Sequence, residues 1–271
     1  MHPPAGLTQH IVDGLAVMRR RPEDPVALVV LVHGAMDRAA SFGRTMRRLG
    51  AVDVVAYDRR GYGASLAKGP ASSMTDHVED LSAVCDWAGE EAARTGAIVG
   101  VGHSLGGLIV LEAAATETGQ FASVGAFEAP MPWEAPEGGA RPGDAALAVA
   151  RADGPPAAAE YFYRAMVGDA VWNRLGDGAR RDRLAEGPAL VSDLEHSREP
   201  AAEPDLTAVA AEPHIARGER SAQHLREAAG KWAERLDVAP EDIPGAGHGA
   251  HLSHPDEFAR WILGVAGVGE R

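Results

Sequence analysis

One short stretch restricts the fold more than any other. Ala97 to Val101 reads as a buried strand, runs directly into Gly102-His103-Ser104-Leu105-Gly106-Gly107, and is followed by an Ala-rich helical segment that stops before Gly119. A Gly-x-Ser-x-Gly pentapeptide gains weight only between a strand and a helix, and both flank it here. A strand that reverses sharply into a helix forces its apex residue into a strained backbone conformation. That is tolerable only beside residues without bulk, and Gly102 and Gly106 supply them. Ser104 is thereby pushed up and out of the turn. The Leu105 amide opens the helix as an unpaired donor at the positive end of the dipole, placed to hold a developing oxyanion. A serine that merely caps a helix is the weaker reading in this context.

The segments before this turn alternate strand and helix. Asp13-Gly14 predicts a hairpin turn between Ile11-Val12 and Leu15 to Met18, at the edge of a sheet. Val26 to Val32 is a continuous apolar run, the pattern of a strand buried on both faces, and it ends at His33-Gly34-Ala35. Ligands collect beyond the C-terminal ends of such strands. The amide of Ala35, or of neighbouring Met36, is therefore the candidate second oxyanion donor. His33 is read as a structural imidazole that orders this loop. Ser41 to Leu49 predicts a short helix and Val52 to Tyr57 a strand. Asp58-Arg59-Arg60-Gly61-Tyr62-Gly63-Ala64-Ser65 follows as a loop that braces the site, without the ending of a phosphate-binding loop. Ser73 to Asp76 fits a capping box. The helix behind it repeats Val78, Leu81, Val84, Cys85 and Ala88 at helical spacing until Gly96. Ser123 to Glu128 is the next strand. The alternation predicts an α/β fold with a doubly wound sheet.

From Trp133 to Pro204 the pattern breaks into prolines, glycines and helical pieces such as Ala157 to Val167 and Arg180 to His196. This predicts a helical lid insertion, residues 133–204, in a core made of residues 1–132 and 205–271. The insertion holds Trp133, Tyr161, Phe162, Tyr163 and Trp172, five of the chain's fourteen Trp, Tyr and Phe residues. Met36, His103, Trp133, Phe162 and Trp172 are the candidate pocket residues. The same aromatics serve equally well as glue between insertion and sheet. The sheet resumes at Pro213 to Arg217, followed by a helix over Ala222 to Leu236 and a strand over Val238 to Ile243. A last helix starts at Pro255, with Phe258, Trp261 and Ile262 on one face and frayed residues from Gly264.

Composition excludes several classes of partner. The formal charge of −13 over 271 residues argues against nucleic acid and anionic membrane surfaces. The single cysteine, Cys85, rules out a disulfide framework and reads as a small buried hydrophobe. The first residues lack the basic start and apolar run of a secretory signal, and no stretch approaches the length of a membrane span, so a cytoplasmic location is expected.

Four features coincide in order: His33-Gly34, Asp58-Arg59-Arg60-Gly61-Tyr62-Gly63, the Ser104 turn, and Gly247-His248 before a terminal helix. On these the chain resembles the α/β-hydrolase-fold serine hydrolases over nearly its whole length. The resemblance implies a mostly parallel twisted sheet flanked by helices, a helical lid and no cofactor. It implies Ser104 as nucleophile, His248 as general base, and the Ala35 and Leu105 amides as oxyanion hole. A hydroxyl is a poor nucleophile until an imidazole accepts its proton, and a third group must orient that imidazole. In many relatives this is an aspartate after the strand that resumes the sheet, and Ser221 stands in its place here. Some relatives carry it at the end of the strand after the nucleophile helix, where this chain has Glu128. A carboxylate there is costly to bury unless an imidazole pairs it. Glu128 is therefore the favoured acid, with Glu219 next and Asp205 and Asp242 behind.

His248, His251 and His254 crowd one loop, but no helix carries them on one face. Loop packing and capping account for the last two, and no metal site is expected. The implied activity is hydrolysis of an ester, lactone or thioester of a small molecule through an acyl-serine. Carbon–carbon bond hydrolases and cofactor-free perhydrolases share this machinery, and a non-catalytic ligand-binding protein on the same fold is the alternative of another class.

Overall fold

Strands whose side chains are apolar on both faces must lie inside a sheet that is covered on both sides. The computed structural model describes residues 6–91, 98–116, 120–134, 142–199 and 203–269. In it, β3 (Ala27–Val32) and β4 (Val52–Tyr57) are buried at every position. With β1 (Thr8–Val12), β2 (Leu15–Arg20), β5 (Ile98–His103), β6 (Phe121–Phe127), β7 (Glu212–Gly218) and β8 (Glu241–Ile243) they form one eight-stranded sheet. Its order is β1-β2-β4-β3-β5-β6-β7-β8. The β1–β2 and β2–β4 pairs are antiparallel and all others parallel. The edge hairpin turns at Asp13 (φ 45°) and Gly14 (φ 77°), the double left-handed turn that an Asp-Gly pair favours.

The helices, in chain order, are α1 (Gly43–Met46), α2 (Met74–Glu91), α3 (Leu105–Thr116), α4 (Pro142–Asp153), α5 (Pro155–Val167), α6 (Asp169–Arg174), α7 (Asp177–Ala185), α8 (Gly187–His196), α9 (Gln223–Arg235), α10 (Ala250–Ser253) and α11 (Pro255–Val265). Alternation along β3 sends Leu28, Val30 and Val32 toward α2, α3 and α9, and Val29 and Leu31 toward α1 and α11. Cys85 is a free, buried thiol within the first of these layers. Helices α4 to α8 lie between β6 and β7, and no strand occurs among the described residues of that segment.

Several expected boundaries move, each for a local reason. The helix expected over Ser41 to Leu49 is a 3-10 turn (Ala39–Phe42) and the single turn α1, with Gly43 weakening a longer helix. The Asp76 carboxylate accepts from the Ser72 amide and hydroxyl, at 2.6 and 2.7 Å, so the cap reaches one residue further back than Ser73. Strand β8 is shorter than Val238 to Ile243 because Pro240 cannot donate to a ladder. The C-terminus does not fray at Gly264. Helix α11 runs to Val265, which is 2% exposed and whose carbonyl accepts from Ser123 Oγ at 2.6 Å. Gly96, Ala97 and Gly119, with which the sequence bounds its helices and central strand, lie outside the described residues.

Candidate active site

The turn after β5 is the tightest place in the sheet. Ser104 has φ 53°, in the left-handed region that side chains avoid, and its amide donates to Phe127 O at 2.8 Å. A Cβ on Gly102 would lie 2.1 Å from Gly106 O, and one on Gly106 would lie 2.1 Å from Val32 O. Both glycines are thus required by contact with backbone, as the turn demanded. Leu105 is the first residue of α3, so its amide has no acceptor in the preceding helical turn.

The loop after β3 comes against this turn at Gly34, where a Cβ would stand 2.9 Å from Ser104 Cβ. Ala35 follows and Met36 reverses the chain with φ 55°. His33 holds the loop from beneath. Its Nε2 accepts from the Arg59 amide at 2.9 Å, so the ring proton sits on Nδ1 and is donated to Gly34 O at 2.7 Å. Arg59 returns two bonds, to His33 O (3.0 Å) and Gly34 O (3.3 Å). The expected bracing role of His33 and of the Asp58 to Gly63 loop is visible in these bonds.

Glu128 ends β6 with φ 49° and is 0% exposed. One carboxylate oxygen lies 2.5 Å from His248 Nδ1, and the other accepts from the Gly218 amide at 2.7 Å. A buried carboxylate with both oxygens engaged meets the condition for burying its charge. The other acids are held elsewhere. Glu219 accepts from the Gly245 amide at 2.7 Å, Asp205 caps the Thr207 turn, and Asp242 pairs with Arg217 at 2.8 Å. Ser221 Oγ points at Gly218, within 2.6 Å of where a Cβ would be.

The family model for the alpha/beta hydrolase family matches residues 29–261 of this chain. The chain belongs to the alpha/beta hydrolase family. A curated monoacylglycerol lipase of Mycolicibacterium smegmatis is 32% identical over 104 residues, which is 37% of each chain, so the match spans little more than a third of that relative. A thermophilic esterase from Thermogutta terrifontis superposes with a TM-score of 0.68 at 20% identity, covering 97% of this chain and 100% of its own. The enol-lactonase from Burkholderia xenovorans LB400 does so with a TM-score of 0.70 at 17% identity, covering 95% and 99%. At these identities the two structures speak for the shared fold.

Within this alpha/beta hydrolase the five expected pocket residues separate. Met36 and Phe162 share one apolar cluster with Tyr62, Ala159 and Leu190. Trp172 packs inside the insertion, 5.8 Å from the Tyr163 ring and 5.5 Å from the Arg164 guanidinium carbon. Trp133 lies edge-on to Trp232 at 5.8 Å, against the α9 side of the sheet. These two aromatics act as glue. His103 is buried beneath the His248 loop, its Nε2 donating to His248 O at 2.8 Å. His254 bonds Ser253 Oγ through Nδ1 at 2.8 Å, and its residue precedes α11. The group with metal-ligand spacing among the described residues is a different one, Asp37, His103 and His251, with one donor atom each within 4.8 Å of the others.

Two buried acids of the insertion escaped sequence reasoning. Asp193 on α8 takes Arg59 (2.7 and 3.2 Å), His77 Nε2 (2.9 Å) and Tyr62 Oη (2.7 Å). Glu186 takes Arg38 Nε (2.6 Å), the Gly63 amide (2.9 Å) and Arg183 (3.1 Å). Arg183 also donates to Met36 O at 3.0 Å. The available signal was Asp193 three residues after Leu190, an acid on the apolar face of a helix.

Burial pushes His33 down to about 3, helped by the Arg59 charge, and lowers His77 and His103 as well. These imidazoles stay neutral in the folded protein, whereas in the unfolded chain they take up protons near pH 6.5. Unfolding therefore binds protons, and stability falls as pH drops below about 6.5, for His33 down to about 3, by roughly 1.4 kcal/mol per pH unit for each such proton. Urea midpoints measured at pH 7, 6 and 5 are expected to decrease steadily; a flat profile would contradict the buried neutral imidazoles.

Proposed function

We propose that the protein is a cytoplasmic serine hydrolase that cleaves an ester, lactone or thioester of a small, apolar substrate through an acyl-Ser104 intermediate. The observation that carries this reading is the bond from His248 Nδ1 to the fully buried Glu128. The donor is then Nδ1–H, which leaves Nε2 of a neutral imidazole as the base. Ser104 Oγ attacks the substrate carbonyl as its proton passes to His248 Nε2, and Glu128 stabilises the imidazolium that results. The Leu105 and Ala35 amides take the negative charge of the tetrahedral oxygen. Collapse expels the alcohol or thiol, which His248 protonates. Water, deprotonated by the same imidazole, then frees Ser104 and releases the acid. Met36, with Phe162 of the insertion packed in the same cluster, supplies the apolar side of the acyl site, and the inserted helices serve as the lid. Ester cleavage is supported by the partial relative, a monoacylglycerol lipase. A reducing compartment suits the lone free cysteine, and among the described residues no helix is long and apolar enough to cross a membrane.

The test is labelling with a fluorophosphonate probe followed by peptide mass spectrometry. Wild-type protein is expected to be modified at Ser104. Glu128→Ala should slow labelling on the order of 10³-fold, because the imidazole loses its orientation and counter-charge. Glu219→Ala should stay within roughly threefold, since it loses only a loop bond. Equal rates in both variants would remove Glu128 from the mechanism. Absence of labelling in folded wild type would instead favour a ligand-binding protein.

A further inference from the structure

The acyl-transfer chemistry leaves unused a buried cluster directly behind it. Asp37 lies two residues after Ala35, His103 precedes Ser104, and His251 follows His248 by three. His251 Nε2 lies 3.1 Å from Asp37 Oδ2, a bond between the loop carrying Ala35 and the loop carrying His248. His103 Nε2 donates to His248 O at 2.8 Å, a bond between the serine turn and that same loop. The His103 ring centroid is 4.3 Å from His251 and 4.6 Å from His248, and Phe127 stacks on it at 5.8 Å. Phe42 closes the far side of His251 at 5.1 Å.

The cluster's polar atoms are engaged inside the protein except Nδ1 of His103 and Nδ1 of His251, which are buried without a hydrogen-bond partner. Asp37 Oδ1 accepts from the Arg38 amide at 2.9 Å, and Oδ2 accepts from Ser41 Oγ at 3.0 Å as well as from His251. Both Nε2 atoms are engaged, in bonds that join the Asp37 loop to His251 and the serine turn to the His248 loop. Burial raises the Asp37 carboxyl, but the bond and charge of His251 outweigh it and keep the group ionised. Burial keeps His103 neutral. A charged acceptor on one loop and a fixed donor on the next make a short, directional link.

We propose that Asp37, His251 and His103 are positioning residues that hold the His248 loop in register with the oxyanion amides and the serine turn. The proposal rests on the serine-hydrolase reading. Nucleophile, base and oxyanion donors come from three loops, and an error of about 1 Å between them costs on the order of 100-fold in rate. The latch removes that freedom without touching the substrate.

The experiment is steady-state hydrolysis of p-nitrophenyl acetate by His251→Phe, which keeps an aromatic ring against Phe42 but removes the bond to Asp37. His251→Gln, which retains an N–H near the place of Nε2, is the conservative partner. The phenylalanine variant is expected to lose roughly 10- to 100-fold in kcat with KM within about twofold, and the glutamine variant to recover most of it. A purely structural role would lower the melting temperature without this kcat-against-KM split or the rescue. If His251→Phe does not fold, His103→Phe against His103→Gln reads the other bond in the same way. Wild-type kcat in the phenylalanine variant overturns the latch, as does failure of glutamine to rescue. Ser104→Ala, run alongside, separates the two levels: if it retains hydrolysis, the serine reading fails and not the latch alone.

Discussion

Ser104→Ala is expected to reduce turnover of p-nitrophenyl acetate by roughly 10⁴- to 10⁶-fold, with urea stability within about 0.5 kcal/mol of wild type. The two halves of this result have separate origins. Alanine keeps the Cβ that packs beside Gly34, and the amide of residue 104 keeps its bond to Phe127 O. The backbone stays at a positive φ in either protein, so the strain cancels in the comparison. What disappears is the proposed nucleophile. The Leu105 and Ala35 amides remain, and on the proposed mechanism they set the residual rate above that of water. Activity within tenfold of wild type would mean that the turn at Ser104 is scaffolding and that another group performs the chemistry.

The largest expected effect on stability is at Asp193. Asp193→Ala removes the carboxylate shared by Arg59, His77 and Tyr62, and Arg59 itself is fully buried. Stranding a buried guanidinium costs about 3–5 kcal/mol, far more than the intact pair contributes over an apolar replacement. Arg59 also bonds the carbonyls of His33 and Gly34, so the loss reaches the oxyanion loop, and turnover is expected to fall with stability. The contrast is Arg164, whose partner Asp169 is 74% exposed. Arg164→Ala should leave the urea midpoint close to that of wild type, because water screens a pair so exposed. Similar losses at the two sites would mean that the Asp193 cluster is solvated, against its burial.

The readable parts of this protein were those decided by neighbours in sequence. Gly102 and Gly106 announce a reversal because backbone crowds both positions, and Asp13-Gly14 announces a hairpin because both residues turn left-handed. Glu128 stood out as an acid closing an apolar strand, and its partner is His248. Long-range geometry was not readable. Trp133, Phe162 and Trp172 are alike in sequence but pack against different partners, Trp232, the Met36 cluster and Tyr163 respectively. Which of Arg38, Arg59 and Arg183 meets Glu186 or Asp193 depends on how five helices dock, which no local period encodes. His103 looked like a pocket residue because it adjoins Ser104, yet neighbouring residues of a strand point to opposite faces.

The position of Glu128 has a consequence for how such a chain diverges. Its carboxylate stands on the last turn of backbone before the chain leaves the sheet for the insertion. The bend from Gly218 to Ser221 therefore supplies no carboxylate to His248, and its tie to that pair is the backbone amide of Gly218, which any residue with the same backbone path would keep. The end of β6 bears both duties at once. Any lengthening or exchange of the inserted helices that tugs on this junction moves the acid too, so a graft of a new cap keeps the Glu128–His248 bond only if it begins beyond Ala129 and Pro130.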